Sequence, residues 1–210
     1  MSEDDIRTKY IIPALQKSGW DIHNQVREQV YFTDGRIFVK GNTTRRGERK
    51  FADIILYYKP NIPIAIIEIK KNTLAMGAGI QQGLDYAVTL DLPLVFSTNG
   101  DGFVQHDRSG ASQQIETNLS LDSFPTPQEA WEKYQKYKGI VTEQAANIAA
   151  HSYYFDTSGR EPRYYQQIAI NRTVEAIAKG QNRVLLVMAT GTGKTYTAFQ
   201  IIYRLWKSGT

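Results

Sequence analysis

Asp53, Glu68 and Lys70 are side chains whose types and spacing could carry out hydrolysis. They lie near the two ends of one apolar stretch, DIILYYKPNIPIAIIEIK. Paired carboxylates hold a hard cation such as Mg²⁺ and leave positions open for water and a phosphate. A nearby ammonium group could orient or deprotonate the attacking water, or screen the charge that develops on the phosphate. If the three side chains meet in space, they fit the hydrolysis of a phosphodiester.

The stretch that carries these residues reads as an antiparallel β-hairpin. Two apolar runs, 52–58 and 64–69, flank the tetrapeptide KPNI. Pro60 suits the second position of a tight turn and Asn61 the third. With the turn centred between them, Asp53 falls opposite Glu68, with their side chains roughly 5 Å apart.

Alternation places Glu68 and Lys70 on the same strand face as Ile64 and Ile66, so the acid belongs to a buried strand. Facing acids in such a place repel and desolvate one another, and a divalent cation is the natural compensation. The alternative is an ordinary solvated charge pair at a strand end. Pro63 also leaves open a longer turn, which would shift the pairing.

The elements around the hairpin alternate between helix and strand, which predicts an α/β sandwich built on a mixed sheet. Ser2 and Asp5 have the spacing of a capping box for a first helix, which Pro13 should bend. The other predicted elements of this part are strands at 25–32, 36–40, 93–98 and 103–106, a helix at 80–90, and, after an extended segment at 124–127, a helix that includes Trp131, Tyr134 and Tyr137 and ends at Gly139.

A polar loop that runs into Asp53 carries four cations within six residues. They are Arg45, Arg46, Arg49 and Lys50. The loop is interpreted as a contact for a phosphate backbone beside the hairpin, with a solvated loop as the alternative. The sequence does not assign individual roles to the four side chains.

This arrangement resembles the PD-(D/E)xK nuclease superfamily. Its marks are Asp53 at the start of one strand and Glu-x-Lys, ending at Lys70, at the end of the next. Gln82 and Tyr86 are similar to the Q-x-x-x-Y element of the RecB-like branch, and Ala52 departs from the proline of the name-giving motif. The resemblance implies that Asp53 and Glu68 bind Mg²⁺, that Lys70 assists the water, and that Gln82 and Tyr86 support the site or the DNA.

The C-terminal part carries a phosphate-binding pattern. A helix with apolar residues at the 3.6-residue period ends at Gly180, and a short buried strand is predicted at 183–188. The segment ATGTGKT and a helix to Lys207 follow. Glycines let backbone N–H groups approach a triphosphate, Lys194 reaches the terminal phosphates and Thr195 ligates Mg²⁺. The predicted nucleotide contacts in this loop are Thr190, Gly191, Thr192, Gly193, Lys194 and Thr195.

The loop resembles motif I of superfamily 2 helicases and DNA translocases. It is a variant, because Met188 stands where the strict consensus has glycine. Upstream, RYYQ, ending at Gln166, is similar to the Q motif of the same proteins. The resemblance implies that Gln166 reads the adenine edge and that the nucleotide is ATP.

Together the two parts resemble the R subunit of type I restriction-modification enzymes. The resemblance implies a restriction-endonuclease-like domain at 1–145, a linker at 146–160 and the start of a RecA-like motor domain at 161–210. It also implies double-stranded DNA as substrate, with methylation and specificity subunits as partners. The alternatives are a nuclease-inactive DNA-binding or docking module on a motor, a type III restriction subunit and another helicase-nuclease.

Composition agrees with a globular protein. The 210 residues are 41% hydrophobic and 22% charged, with a net charge of +4, which is compatible with a polyanionic partner. The absence of cysteine excludes disulfides and thiolate metal sites and suits a reducing cytoplasm. No membrane span and no export signal is predicted. The three histidines lack metal-ligand spacing and are interpreted as structural.

No acidic Walker B motif follows the phosphate loop, and no second motor lobe or arginine finger is recognised. The sequence is therefore interpreted as a fragment. These 210 residues alone are expected neither to hydrolyse ATP at a useful rate nor to translocate.

Overall fold

The structure is a computed structural model. It describes residues 1–33, 37–40, 43–46, 49–157 and 159–210, and for 32–50 it describes no side chains. The predicted phosphate contact of Arg45, Arg46, Arg49 and Lys50 therefore lies outside the described side chains. Within these ranges the chain folds as a mixed α/β structure, as the sequence predicts.

Six strands form the central sheet in the order β1-β4-β5-β6-β7-β8. The pair β5 and β6 is parallel, and the other described neighbours are antiparallel, so the predicted mixed sheet is confirmed. These strands are β1 Val26–Thr33, β4 Arg49–Lys59, β5 Ile62–Ile69, β6 Leu94–Thr98, β7 Phe103–Asp107 and β8 Glu116–Leu119; a separate ribbon pairs β2 Ile37–Lys40 with β3 Thr43–Arg46.

Helices cover both faces of the sheet. They are α1 Glu3–Ile6, α2 Ile12–Lys17, α3 Ile80–Leu90, α4 Pro127–Lys138, α5 Glu143–Ala149, α6 Tyr164–Ala178 and α7 Lys194–Lys207. One face packs against α1, α2 and α4 to α7, and the other packs against α3. Strand β5 is buried along its whole length because helices lie on both sides of it.

The N-terminal helix begins at the predicted cap, and Pro13 marks the start of its second half. The Ser2 hydroxyl accepts a hydrogen bond from the Asp5 amide, and the Asp5 carboxylate accepts one from the Ser2 amide, which completes the capping box. A π-helical segment, Arg7–Ile11, then lies between α1 and α2. Pro13 sits in the first turn of α2, where its missing N–H costs least.

Three strands or helices were not predicted from the sequence. Strand β3 lies within the stretch that was predicted as a polar loop, where it pairs with β2. Strand β8 lies in a stretch whose polar residues read as a loop, and it forms because β7 offers it an open edge. Helix α5 lies where small residues suggested the approach to a linker. It packs against the core through Ala145, Ile148 and Ala149, so tertiary contact rather than pattern defines it.

The strand predicted at Arg183–Met188 is wrong. These residues have no regular secondary structure, and Leu185 and Val187 are 86% and 89% exposed. A strand is stabilised by hydrogen bonds to a neighbouring strand. Among the described residues no strand pairs with this segment, so its apolar composition alone does not produce one.

A buried arginine joins the last helix to the rest of the molecule. Arg204 of α7, 1% exposed, donates to the carbonyls of Ala149 and His151 at 2.7 and 2.9 Å and to Oδ1 of Asn171 at 2.7 Å. Helices α6 and α7 thus pack directly on the first part of the chain. The boundaries at 145 and 160 stay a prediction.

Among the described residues, no helix combines the length and apolar character needed to cross a lipid bilayer.

Candidate functional site: a carboxylate hairpin and a phosphate loop

The hairpin register brings the two predicted metal ligands face to face. Strands β4 and β5 pair Ile54 with Ile67 and Ile55 with Ile66, so the next facing pair is Asp53 and Glu68. The pairing is irregular next to Pro63, but it returns to the same register at Lys59 and Ile62. The predicted register is therefore confirmed.

The turn has the conformation that its residues favour. Asn61 adopts φ +67°, a left-handed conformation that asparagine tolerates better than most residues, directly after the φ-restricted Pro60. Asn61 is also fully buried, which is unusual for a hairpin turn. A second element therefore packs over the turn, and it proves to be α6.

Glu68 occupies an environment that disfavours a bare carboxylate. It is fully buried, and among the residues that the structure describes neither of its carboxylate oxygens has a hydrogen-bond partner. Burial, reinforced by the charge of Asp53 and opposed by that of Lys70, raises the pKa of Glu68 to about 8. A buried acceptor pair without a donor is costly, and a cation would relieve that cost.

Asp53 is held in place by the backbone of the other strand. Its Oδ2 accepts a hydrogen bond of 2.7 Å from the amide of Ile69. Of the two facing carboxylates, Asp53 is therefore oriented by a donor, while Glu68 has none among the described residues.

A series of contacts between side chains connects the hairpin to α3. The Lys70 amine lies 3.7 Å from Oε2 of Glu68 and donates to Oε1 of Gln82 at 2.9 Å. The Gln82 amide then donates to the hydroxyl of Tyr86 at 3.0 Å. The structure thus brings Asp53, Glu68, Lys70, Gln82 and Tyr86 into one connected set. Their catalytic roles stay a prediction.

The start of helix α3 can lie this close because glycines occupy two positions where it meets the sheet. A Cβ on Gly79 would lie 2.8 Å from Cβ of Glu68, and one on Gly83 would lie 2.5 Å from a methyl of Val95. Ser97 fastens the start of the helix, since its hydroxyl accepts from the Gly79 amide and donates to the Met76 carbonyl. The sequence reasoning missed these three residues. Two glycines four residues apart on one helical face were the signal that could have found them.

These residues fit a divalent metal. Two carboxylates face each other, and one has unpartnered buried oxygens, which is the donor set that Mg²⁺ prefers. Among the described residues no group of three acidic, histidine or cysteine side chains forms a complete protein cage. The remaining coordination positions would belong to water and to a substrate phosphate, as in other Mg²⁺ sites.

The phosphate loop has the backbone conformation its glycines allow. Gly191 and Gly193 have φ of +79° and +83°, and α7 starts at Lys194 immediately after them. The Lys194 amine donates to the carbonyls of Met188 and Ala189, each at 3.2 Å. Thr190 and Thr195 are exposed. The predicted turn and helix are thus present, while the strand before them is not.

Gln166 lies against this loop. It is 5% exposed, its amide donates to the Thr192 carbonyl at 2.8 Å, and its side-chain oxygen accepts from the Arg163 amide at 2.9 Å. The Tyr165 hydroxyl donates to the same Thr192 carbonyl at 3.4 Å. Gln166 therefore positions the loop, and its predicted contact with adenine stays a prediction.

Two family models match separate parts of the chain. The model described as the N terminus of the type I restriction enzyme R protein matches residues 22–125. The model described as type III restriction enzyme, res subunit, matches residues 160–210. The first match contains the carboxylate hairpin, and the second contains Gln166 and the phosphate loop.

Curated relatives and a solved structure match the chain across both parts. It is 52% identical over 209 residues to the type I restriction enzyme EcoAI endonuclease subunit of Escherichia coli, covering 99% of this chain and 26% of that protein. It is 24% identical over 262 residues to the EcoKI endonuclease subunit of Escherichia coli (strain K12), covering 99% of this chain and 22% of that protein. The chain therefore spans about a quarter of the length of these relatives.

The solved structure is described as a fragment of a putative HsdR subunit of a type I restriction enzyme from Vibrio vulnificus YJ016. It is similar to this chain with a TM-score of 0.81 and 39% identity, covering 99% of this chain and 38% of that one.

Proposed function

The chain belongs to the type I restriction enzyme R protein family, and from this membership we propose that it cleaves double-stranded DNA in a Mg²⁺-dependent reaction. The cleavage is part of the work of an ATP-driven, DNA-translocating restriction subunit. One observation carries the proposal: Asp53, Glu68 and Lys70 converge from two strands, and the buried Glu68 oxygens have no donor.

Each side chain of the hairpin has a definable task in phosphodiester hydrolysis. Asp53 and Glu68 would hold Mg²⁺, which supplies positive charge for the phosphate oxygens and a bound water. Lys70, positioned by Gln82, orients the attacking water and screens the charge on the phosphate. The water gives up a proton to the solvent and its oxygen bonds to phosphorus as the bond to the leaving oxygen breaks, and the leaving oxygen takes up a proton from the solvent.

The phosphate loop serves ATP in this proposal. Lys194, which now contacts the Met188 and Ala189 carbonyls, would hold the terminal phosphates, and Thr195 would hold the accompanying Mg²⁺. The charge-assisted contacts to phosphate are stronger than those to a neutral carbonyl, so the exchange is favourable. The partners are the methylation and specificity subunits of the same complex, with double-stranded DNA as substrate.

The test is plasmid cleavage by a subunit of the relatives' full length, assembled with its partners. Asp53→Asn and Lys70→Ala should each lower the cleavage rate by roughly 10²- to 10⁴-fold, because each removes a group that acts on the reacting atoms. ATP hydrolysis should persist in both variants. Asp85→Asn and Lys136→Ala change exposed residues of the same types and should leave cleavage unchanged.

The same experiment distinguishes the proposed nuclease from the competing function, a nuclease-inactive docking module. Cleavage that survives Asp53→Asn at an unchanged rate would remove the hairpin from the reaction. A complex that binds and translocates DNA without cutting it would support the docking module.

A further inference from the structure

Helix α6 contacts both the phosphate loop and the carboxylate hairpin through consecutive residues. Gln166 donates to the Thr192 carbonyl in the loop. Gln167 donates to Oδ1 of Asn61, in the hairpin turn, at 2.9 Å. Both glutamines are buried, at 5% and 7% exposure, so water does not compete for these hydrogen bonds. The phosphate loop and the hairpin turn, which are far apart in sequence, thus contact neighbouring residues of one helix.

Asn171 adds a second contact to the same turn, one helical turn further on. Its amide donates to the Asn61 carbonyl at 3.1 Å. Its Oδ1 accepts from Arg204 of α7 at 2.7 Å and from the Tyr153 hydroxyl at 2.9 Å. Because α7 begins at Lys194, Arg204 lies on the helix that the loop starts, roughly 15 Å along it. The turn is therefore linked to the loop by two routes, one through each helix.

The hairpin turn is suited to transmit a displacement. Asn61 is fully buried in its left-handed conformation, and its own Nδ2 has no partner. The strands β4 and β5 leave this turn and reach Asp53 and Glu68 roughly 25 Å away. Both strands are hydrogen-bonded on both sides in the sheet. A shift of the turn therefore moves two strands that are held in the sheet, rather than a free loop.

Helix α6 also contacts the other element of the carboxylate site. Its Arg172 Nε lies 2.8 Å from Oδ2 of Asp91, and Lys138 of α4 also bonds that carboxylate. Asp91 caps the C-terminus of α3 in a left-handed conformation. The same α3 carries Gln82, which holds the Lys70 amine. One helix thus touches both elements that position the reacting groups.

We propose that α6 couples the phosphate loop to the carboxylate hairpin, with Gln167 and Asn171 as positioning residues of the nuclease site. The inference rests on the proposed function, because it requires a nucleotide in the loop. When Lys194 leaves the Met188 and Ala189 carbonyls for phosphate, the loop rearranges and the Thr192 carbonyl moves with it. Gln166 carries that movement into α6, and Gln167 and Asn171 carry it to Asn61.

Hydrogen exchange in the full-length subunit tests the coupling, with and without a nonhydrolysable ATP analogue. The reporter is the amide of Ile69, which donates to Asp53 at the carboxylate site. In the unsubstituted subunit the analogue should change its exchange rate about fivefold or more, the lower end of typical coupling between sites. Gln167→Leu and Asn61→Gly each break the side-chain bond between helix and turn and should reduce that change, while the contact of Asn171 with the Asn61 carbonyl remains. Nucleotide affinity should stay within about twofold, because neither residue touches the loop.

A double-mutant cycle separates coupling from general destabilisation. Because the two substitutions break the same hydrogen bond, the double variant should lose no more nucleotide response, and no more DNA cleavage per ATP hydrolysed, than either single one. Gln181→Leu, at an exposed glutamine just beyond α6, is the matched control and should behave as the unsubstituted subunit.

Three outcomes would overturn the proposal. The first is an Ile69 amide indifferent to bound nucleotide, and the second is a full response in Gln167→Leu. The third is a subunit that binds no nucleotide, which would also defeat the ATP part of the proposed function. In the first two, nucleotide binding and Mg²⁺-dependent cleavage remain measurable, so the proposed function would stand while the coupling fell.

Discussion

The carboxylate hairpin and the phosphate loop are supported in different ways. Strands β4 and β5 have neighbouring strands on both sides and helices on both faces, and Glu68 is fully buried between them. The segment before the loop, Arg183–Met188, pairs with no described strand, and Lys194 is exposed. Burial therefore tunes the chemistry of the hairpin, whereas that of the loop depends on backbone conformation and on contacts from α6.

The largest effect is expected from Glu68→Gln in metal-free protein. Glutamine cannot ionise, whereas burial and Asp53 raise the pKa of Glu68 from 4.5 to about 8. Below pH 4.5 both the folded and the unfolded protein hold the proton. Between pH 4.5 and pH 8 only the folded protein holds this proton. The stability of the folded protein therefore falls as the pH rises through this range. At pH 9 the variant should be more stable by roughly 5 kcal/mol, and near pH 4 it should be equal.

Urea unfolding with a chelator at pH 4, 7 and 9 measures that difference. An identical pH dependence in both proteins would show that Glu68 is not held in a desolvating site. Adding Mg²⁺ at pH 9 should stabilise the unsubstituted protein more than the variant, because the metal compensates the carboxylate charge.

A smaller effect is expected where α3 approaches the hairpin. In Gly79→Ala the added methyl would lie 2.8 Å from Cβ of Glu68 and 2.9 Å from Oγ of Ser97. Overpacking of this kind costs roughly 1–3 kcal/mol and should displace α3 from Lys70. Thermal unfolding measures the cost. Gly77→Ala, whose methyl would meet Val104 at an ordinary 3.6 Å, is the matched control, and equal losses in both would argue against a close approach.

In the loop region, Gln166→Ala should weaken nucleotide binding about fivefold to tenfold. It removes one buried hydrogen bond to the Thr192 carbonyl, which corresponds to about 1 kcal/mol. Titration of the full-length subunit with a fluorescent ATP analogue measures the change, and Gln181→Ala serves as the control. A loss of binding below detection would instead assign Gln166 a direct contact with the nucleotide.

The smallest effect is expected at Val187. Its side chain is 89% exposed, so Val187→Ser should change the free energy of unfolding of this chain by less than about 0.5 kcal/mol. Urea unfolding of the 210-residue chain checks it. A loss of 2 kcal/mol or more would show that the segment is buried after all and would make the two regions alike.

The hairpin could be predicted in detail because its signals are local. Proline and asparagine define the turn, and the alternating apolar residues define which side chains share a face, so the pairing of Asp53 with Glu68 follows. The loop before α7 is local in the same sense, since its glycines determine its backbone. The apolar run at 183–188 gave a wrong prediction of a strand. A strand needs a neighbouring strand to accept and donate its backbone hydrogen bonds, and apolar composition does not supply one.

The sequence by itself determined the register of the hairpin, the start of α3, the end of α7, and which groups could bind a metal or a phosphate. Turn residues, side-chain period and glycine backbone preferences act between neighbours along the chain, and these can be read directly. Only the tertiary structure decided that Glu68 has no donor, that Gln82 holds Lys70, and that α6 contacts both sites. These contacts and this burial form between segments that are distant in sequence. They depend on how the whole chain packs and on which side chains that packing removes from water.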